Sequence, residues 1–450
     1  MVKGVQGARC CLLLAGLVTQ LVGVLPAHAD HAADLPAAAT AVQGPAWSDG
    51  LDERSARNGP LRLRWSGYLQ AQYQRDQQSH DELAPGGTPL NQDRFVVRRA
   101  RLRATASWEL ASEHAAEAVV EYDGNTVRGI SAGVRRAQIG WRWRSAAEAE
   151  PWLAVTGGLT SIPFGDELRV GPDQLPFFER SAASLAWFPG STDTGLRVHG
   201  ALGWFRYDVA ATSGVPFDER LAPTAIDPTA APDLLGRLGF AAEPARGLHV
   251  SGGASYLAGT GLSPGSDASK ARVIWKDYND NGQLDSGESV ALPAQIARAS
   301  TTYKRWAVGL DLRATLQSGL GTTQLWLEGA LANNLDRGQF VADPVLTGRD
   351  QRGVGGLVGL VHELPLGLFV GLRASVYRPD LDQLDSRRGL LQPVAARYDA
   401  ISPLLGLRWH DDLRLALQYD HIADRLGRDA AGEPTDLRND RWTLRAQARF

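Results

Sequence analysis

Trp442-Thr-Leu-Arg-Ala-Gln-Ala-Arg-Phe450 is the stretch on which the fold turns. Trp442, Leu444, Ala446, Ala448 and Phe450 fall on one side of an extended strand, and Thr443, Arg445, Gln447 and Arg449 fall on the other. A water-soluble strand usually buries its apolar side in a core. A closing strand of a membrane barrel turns that side to lipid and is expected to end in an aromatic at the interface. The reading is an all-β chain: a transmembrane antiparallel β-barrel.

The same period of two runs back through the chain. Leu61, Leu63, Trp65, Leu69, Ala71 and Tyr73 alternate with Arg62, Arg64, Ser66, Gln70, Gln72 and Gln74. Ala100, Leu102, Ala104, Ala106 and Trp108 alternate with Arg99, Arg101, Arg103, Thr105 and Ser107. Strands are expected over 61–75, 94–110, 115–123, 132–144, 152–160, 194–202, 204–213, 233–242, 247–258, 303–317, 321–332, 353–362, 367–378, 398–410, 413–422 and 440–450, about 16 in all. Long connections alternate with short ones such as Gly203, Ser318 to Leu320 and Asp411-Asp412. That sorting is expected of outer loops and periplasmic turns. Nine tryptophans, from Trp65 to Trp442, fall in or beside these strands, as interfacial girdles require. The polar side of each strand looks too polar for a second apolar core.

Residues 1–29 read as a cleaved secretory signal. Lys3 and Arg9 precede an apolar run from Cys11 to Leu25, and Ala27-His28-Ala29 is a small-residue cleavage site. Residues 30–60, rich in Ala, Pro and Gly, read as a flexible periplasmic lead-in, and 61–450 as the barrel. Removing the signal takes away two basic residues and no acid, which moves the formal charge from −3 to −5. That balance does not point to nucleic acid. Both cysteines lie in the signal, so disulfides and thiol chemistry are not expected in the exported chain. A negative mean hydropathy does not argue against a membrane home, because alternation hides a lipid face from averages.

With apolar side chains toward lipid, the other face lines a lumen. It is expected to carry Arg99, Arg101, Arg103, Arg136, Arg142, Arg197, Arg313, Arg373, Arg408 and Arg445, against fewer inward acids such as Glu117, Glu121, Asp208, Asp311 and Glu328. Rings of arginine lower the barrier to anions, and low-dielectric walls strengthen the field. The bland alternative is that these arginines pair with inward acids across strands. The expected function is passive diffusion of small hydrophilic solutes, with a preference for anions.

Gly158-Leu-Thr-Ser-Ile-Pro-Phe-Gly-Asp-Glu-Leu168, then Phe177-Phe-Glu-Arg-Ser181 and Thr194-Gly-Leu196, resembles the phosphate-selective porin O/P family. Ser66-Gly-Tyr-Leu-Gln70 and Phe95-Val-Val-Arg-Arg-Ala-Arg-Leu102 look like that family's first two strands. The resemblance implies a trimeric 16-stranded pore in a Gram-negative outer membrane, with an infolded third loop and phosphate or related oxyanions as solutes. Pro163, Phe164 and Gly165 would turn that loop off its strand, and Glu179 and Arg180 would anchor it. The exported chain departs from the family's lysine-containing permeation path, since it holds only Lys270, Lys276 and Lys304.

Asp277-Tyr-Asn-Asp-Asn-Gly-Gln-Leu-Asp-Ser-Gly-Glu288 fits the 12-residue calcium loop. Asp277, Asn279, Asn281, Gln283 through its carbonyl, Asp285 and Glu288 would supply oxygens, and Gly282 the turn. The expectation is a structural Ca²⁺ that orders an outer loop over 259–302; a solvated acidic turn is the plain alternative. No metal-hydrolase, serine-elbow or P-loop signature occurs, so an enzyme is not expected. The competing class is a barrel that merely anchors calcium-ordered surface loops for a partner.

Overall fold

The computed structural model describes residues 55–58, 61–77, 93–127, 129–144, 150–214, 231–276, 281–387, 390–393, 397–425, 427–428 and 434–450. Sixteen strands form one closed antiparallel barrel: β1 Leu61–Asp76, β2 Arg94–Ala111, β3 His114–Asn125, β4 Ser131–Trp143, β5 Leu153–Ser161, β6 Thr192–Leu202, β7 Phe205–Thr212, β8 Asp233–Ala245, β9 Leu248–Ser263, β10 Thr301–Ser318, β11 Gly321–Asn333, β12 Arg352–Glu363, β13 Leu368–Arg378, β14 Tyr398–Trp409, β15 Leu413–Ala423 and β16 Arg441–Arg449. Each pairs with its sequence neighbour, and β16 closes on β1 from Tyr68↔Arg449 to Asp76↔Arg441. At the seam Gly67 N–H donates to the Phe450 carbonyl at 2.8 Å and Phe450 N–H returns to Gly67 at 3.0 Å. A side chain at Gly67 would strike the Phe450 ring, so the seam requires glycine there.

Every expected strand is present, with ends displaced by a few residues. The largest change is β9, which runs on to Ser263. The signal over 1–29 lies outside the described residues, as does most of the lead-in. The exception is Ser55–Asn58, which is not irregular: it pairs with Leu61 to Arg64 below the end of β16. That pairing covers backbone which would otherwise form an open edge. Alternation of connection length is not strict, because 144–152 is longer than 126–130.

The outward side is apolar all round, with Leu102, Ile139, Leu238, Leu310, Leu372, Leu405 and Leu444 exposed. Trp65, Trp204 and Trp409 ring the short-turn end, and Trp442 lies at the other. No helix among the described residues is long and apolar enough to cross a membrane.

Inside, the expectation of a uniformly polar face fails. On one side β16 and β1–β4 present Gln70, Gln72, Glu121, Asp123 and Arg445, while Arg237, Arg305, Asp311 and Arg373 lie among the strands opposite. On the other, β8–β15 present Leu235, Leu257, Ala307, Trp326, Val361, Phe369, Tyr377, Leu404 and Ala416, all buried. Two apolar clusters form there, inside the barrel. Their partners come from the third long connection, which a period count over strands alone does not reveal.

Candidate functional site

That connection, residues 162–191, folds into the bore. Gly165, at φ +60°, lets the chain turn sharply just inside the wall. Phe164 is seated over Gly309, where an added Cβ would come within 3.1 Å of its ring. The short helix α1, Ala182–Trp187, lies on Gly355, where a Cβ would sit 2.2 Å from the Ala183 methyl. Phe177 lies over Gly359 and Gly371. Glycines on the inner faces of β10, β12 and β13 thus make a seat for three aromatic or helical contacts. Phe164, Trp187 and Phe188 are 2–4% exposed there, and each such burial is worth about 1.5–3 kcal/mol.

Polar contacts pin the same segment. Glu328 on β11 accepts from the Asp166 and Glu167 amides at 2.9 and 2.8 Å. Glu167 accepts from the Ser181 amide at 2.8 Å and from the Ser181 and Ser184 hydroxyls at 2.7 Å. Arg414 donates to the carbonyls of Leu175 and Pro176, and Arg373 to that of Glu179. Arg180 turns back onto its own loop, to the carbonyls of Glu167, Leu168 and Val170. Glu179 reaches the far wall. Arg98 grips its carboxylate side-on at 2.8 and 2.9 Å, Arg99 end-on at 3.2 and 2.8 Å, and Arg445 at 2.7 Å. Burial would raise this carboxyl, but Arg98, Arg99 and Arg445 together hold it well below the usual range.

Arg98 was absent from the expected lining, because strict alternation points it at lipid. A β-bulge turns it inward: Gln70 pairs with Arg99 and Ala71 with Val97, which leaves Arg98 extra. A second bulge does the same for Arg135, since Glu121 pairs with Arg136 and Tyr122 with Val134. The only sequence signal is the repeated Arg-Arg dipeptide within otherwise alternating strands.

Between the loop and the β1–β4 wall lies a small, partly open cleft. Arg101, Arg103, Arg135, Arg136, Arg169 and Arg180 line it, against Glu121 and Asp173. Glu121 lies 3.1 Å from Arg101 and 2.6 Å from Arg103, Arg135 is 3.7 Å from Asp123, and Arg136 donates to Ser161 at 3.0 Å. Burial pulls Arg169 and Arg180 down to about 10, so both stay charged at neutral pH.

The other expected arginines lie elsewhere. Arg142 faces Glu117 at 3.5 Å, Arg197 grips Asp208 at 2.5 Å, Arg313 meets Asp166 at 2.6 Å, and Arg408 meets Glu363 at 3.2 Å near the short-turn end. None joins the cleft, and cross-strand or loop pairing accounts for each.

The described part of the calcium-type motif, residues 281–288, leads into a paired arm rather than an irregular loop. Arg272–Trp275 pairs with Ser289–Leu292, and further bridges join Ser266 to Arg298 and Ser269 to Gln295. A backbone ladder contributes to the arm's order. Asp277 and Asn279 lie outside the described residues. Asn281 donates to Asp285 at 2.7 Å and accepts from the Gln283 amide at 2.7 Å. Glu288, 4% exposed, accepts from the Asp285 amide at 2.9 Å and the Trp275 indole at 3.2 Å. No cluster of three metal-ligating side chains forms among the described residues.

No protein-family model matches the chain, and no curated protein sequence matches it significantly. Its fold is similar to the outer-membrane channel DcaP of Acinetobacter baumannii, with TM-score 0.56 and 12% identity over 88% of this chain and 99% of that one. It is similar to an anion-selective porin from Comamonas acidovorans, with TM-score 0.52 and 10% identity over 87% and 100% of the two chains. OprB of Pseudomonas putida matches with TM-score 0.52 and 11% identity over 86% and 94%. At these identities the likeness is one of fold.

Proposed function

We propose that this chain is a passive-diffusion porin of a Gram-negative outer membrane, exported through its leader, which admits small hydrophilic solutes and prefers anions. The observation that carries the reading is the cleft beside the infolded loop: six guanidiniums line it with Glu121 and Asp173, and Asp123 pairs with Arg101 and Arg135 behind them, between low-dielectric walls. The reading is non-catalytic. Resemblance to the phosphate-selective O/P family supports oxyanions, phosphate among them, as solutes. Reversal potential in a KCl gradient across a planar bilayer tests it. Anion preference is expected, and a cation-selective sign rejects it.

A homotrimer is part of the proposal. The outward sides of β16 and β1–β3 are rich in alanine at facing positions, such as Ala446↔Ala71 and Ala106↔Ala118, which leaves a flat face for a second copy. Structural Ca²⁺ at the arm tip is a further part, supported by the motif and by Glu288 turning its carboxylate into the turn.

One observation favours a second reading. The infolded loop bridges the bore, from Gly309 and Gly355 on one wall to Arg98, Arg99 and Arg445 on the other. A barrel so bridged also suits an anchor whose surface loops bind a partner. Single-channel steps separate the two: open-channel steps favour the pore, and a silent bilayer favours the anchor.

A further inference from the structure

We propose that Arg98, Arg99 and Arg445 form a binding site for solute carboxylates, which Glu179 occupies as an internal stand-in and yields by exchange. The proposal rests on the pore reading above and names a class of solute for it.

Three features separate this cluster from an ordinary anchor. First, three cations converge on one acid. Among the described residues, Glu179 is the only carboxylate paired with any of the three. Their other partners are neutral: Gln70 for Arg99, and Gln72 and the Phe178 carbonyl for Arg445. A loop anchor needs one arginine, yet the wall bulges to bring a second beside the first. Second, the geometry is that of carboxylate recognition. Arg98 and Arg99 each present a two-pronged fork to both oxygens, the arrangement that makes Arg–carboxylate pairs strong and directional. Third, Glu179 can leave without the loop leaving. Arg414, Arg445 and Arg373 hold the carbonyls of Leu175, Pro176, Phe178 and Glu179. The glycine seat and Glu328 hold the rest of the loop. Glu179's side chain is 28% exposed, and the proposed exchange is a rotamer change that turns its carboxylate away from the forks.

An internal occupant lowers apparent affinity by the fraction of time the site is vacant. Weak binding with fast release is what a diffusion pore needs. The exchange is charge-neutral: one carboxylate replaces another, and Glu179 turns toward lumen water.

The test uses full-length protein in planar bilayers, with block of chloride current titrated by succinate and, separately, by inorganic phosphate. Glu179→Gln is expected to lower the half-blocking succinate concentration about tenfold, the gain due if Glu179 fills the site about 90% of the time. Adding Arg98→Ala to that variant is expected to abolish the gain. Glu179→Asp, which keeps the charge on a shorter stem, is expected to give a smaller gain and guards against a folding defect in the first variant. The gain with phosphate is expected to be smaller, because two planar forks fit a planar anion. An equal gain with phosphate overturns the carboxylate assignment. No gain in chloride-conducting Glu179→Gln channels overturns the site itself. A cation-selective wild-type channel is a different failure, that of the pore reading.

Discussion

The two inner walls of this barrel do opposite things with the same loop. The wall of β9–β15 receives it with glycine, alanine and buried aromatics, and with Glu328, Arg373 and Arg414 on its backbone. The wall of β16 and β1–β4 receives it with guanidiniums, Arg98, Arg99 and Arg445 on Glu179 and Arg449 on Asp173. Apolar contact is short-ranged and shape-dependent, so the first wall decides where the loop sits. Charge acts over the width of the bore, so the second wall sets the field beside the loop. The glycine seat and the wall arginines of the cleft thus lie on different strands, and each set can be substituted without touching the other.

The largest effect should come from filling the seat. Gly355→Leu places a branched side chain where a Cβ alone meets Ala183 at 2.2 Å. Overpacking of this kind costs about 1–3 kcal/mol, and here the loop is the part able to move. The expected outcome is a severalfold rise in single-channel conductance; unchanged conductance would show that the apolar wall does not set the loop's position. Phe164→Ala acts in the same direction by removing the ring over Gly309. A loss of about 3–5 kcal/mol is expected, read as earlier thermal loss of the unboiled band on a gel.

On the charged wall, Arg103→Glu reverses a charge in the cleft and leaves Glu121 facing another acid. The anion-to-cation permeability ratio should fall severalfold while conductance changes less than with Gly355→Leu. A ratio that holds would detach selectivity from this cleft.

A pH series gives a subtler comparison. Glu179 is depressed, so its contribution is present above the unfolded carboxylate value and is lost only as pH falls through the lower folded value. Conductance should stay flat from pH 8 to pH 5 and change only in strong acid. A transition near pH 6 would mean that some other group controls the loop. The smallest effect concerns the outer arm. Chelator should speed protease nicking near 281–288 while leaving conductance untouched, and equal nicking with and without chelator counts against Ca²⁺ at the tip.

Alternation alone was enough to place sixteen strands and to say which side of each turns outward, because side-chain direction in a strand has a fixed period of two. The same rule misjudged the places where that period breaks. Arg98 and Arg135 face inward because a bulge shifts register, and no local propensity marks where a partner strand will slip by one residue. Nor could the strands reveal that half of their inner faces are apolar for a purpose. Gly309, Gly355, Gly359 and Gly371 read as weak strand residues until the loop from 162 to 191 is laid upon them. The ten candidate arginines were legible as residues, yet which of them share a cleft and which are spent on pairs depends on contacts between residues far apart in sequence. The barrel follows from periodicity, which is local; the bore's two-sided chemistry follows from packing, which only the closed ring of strands brings about.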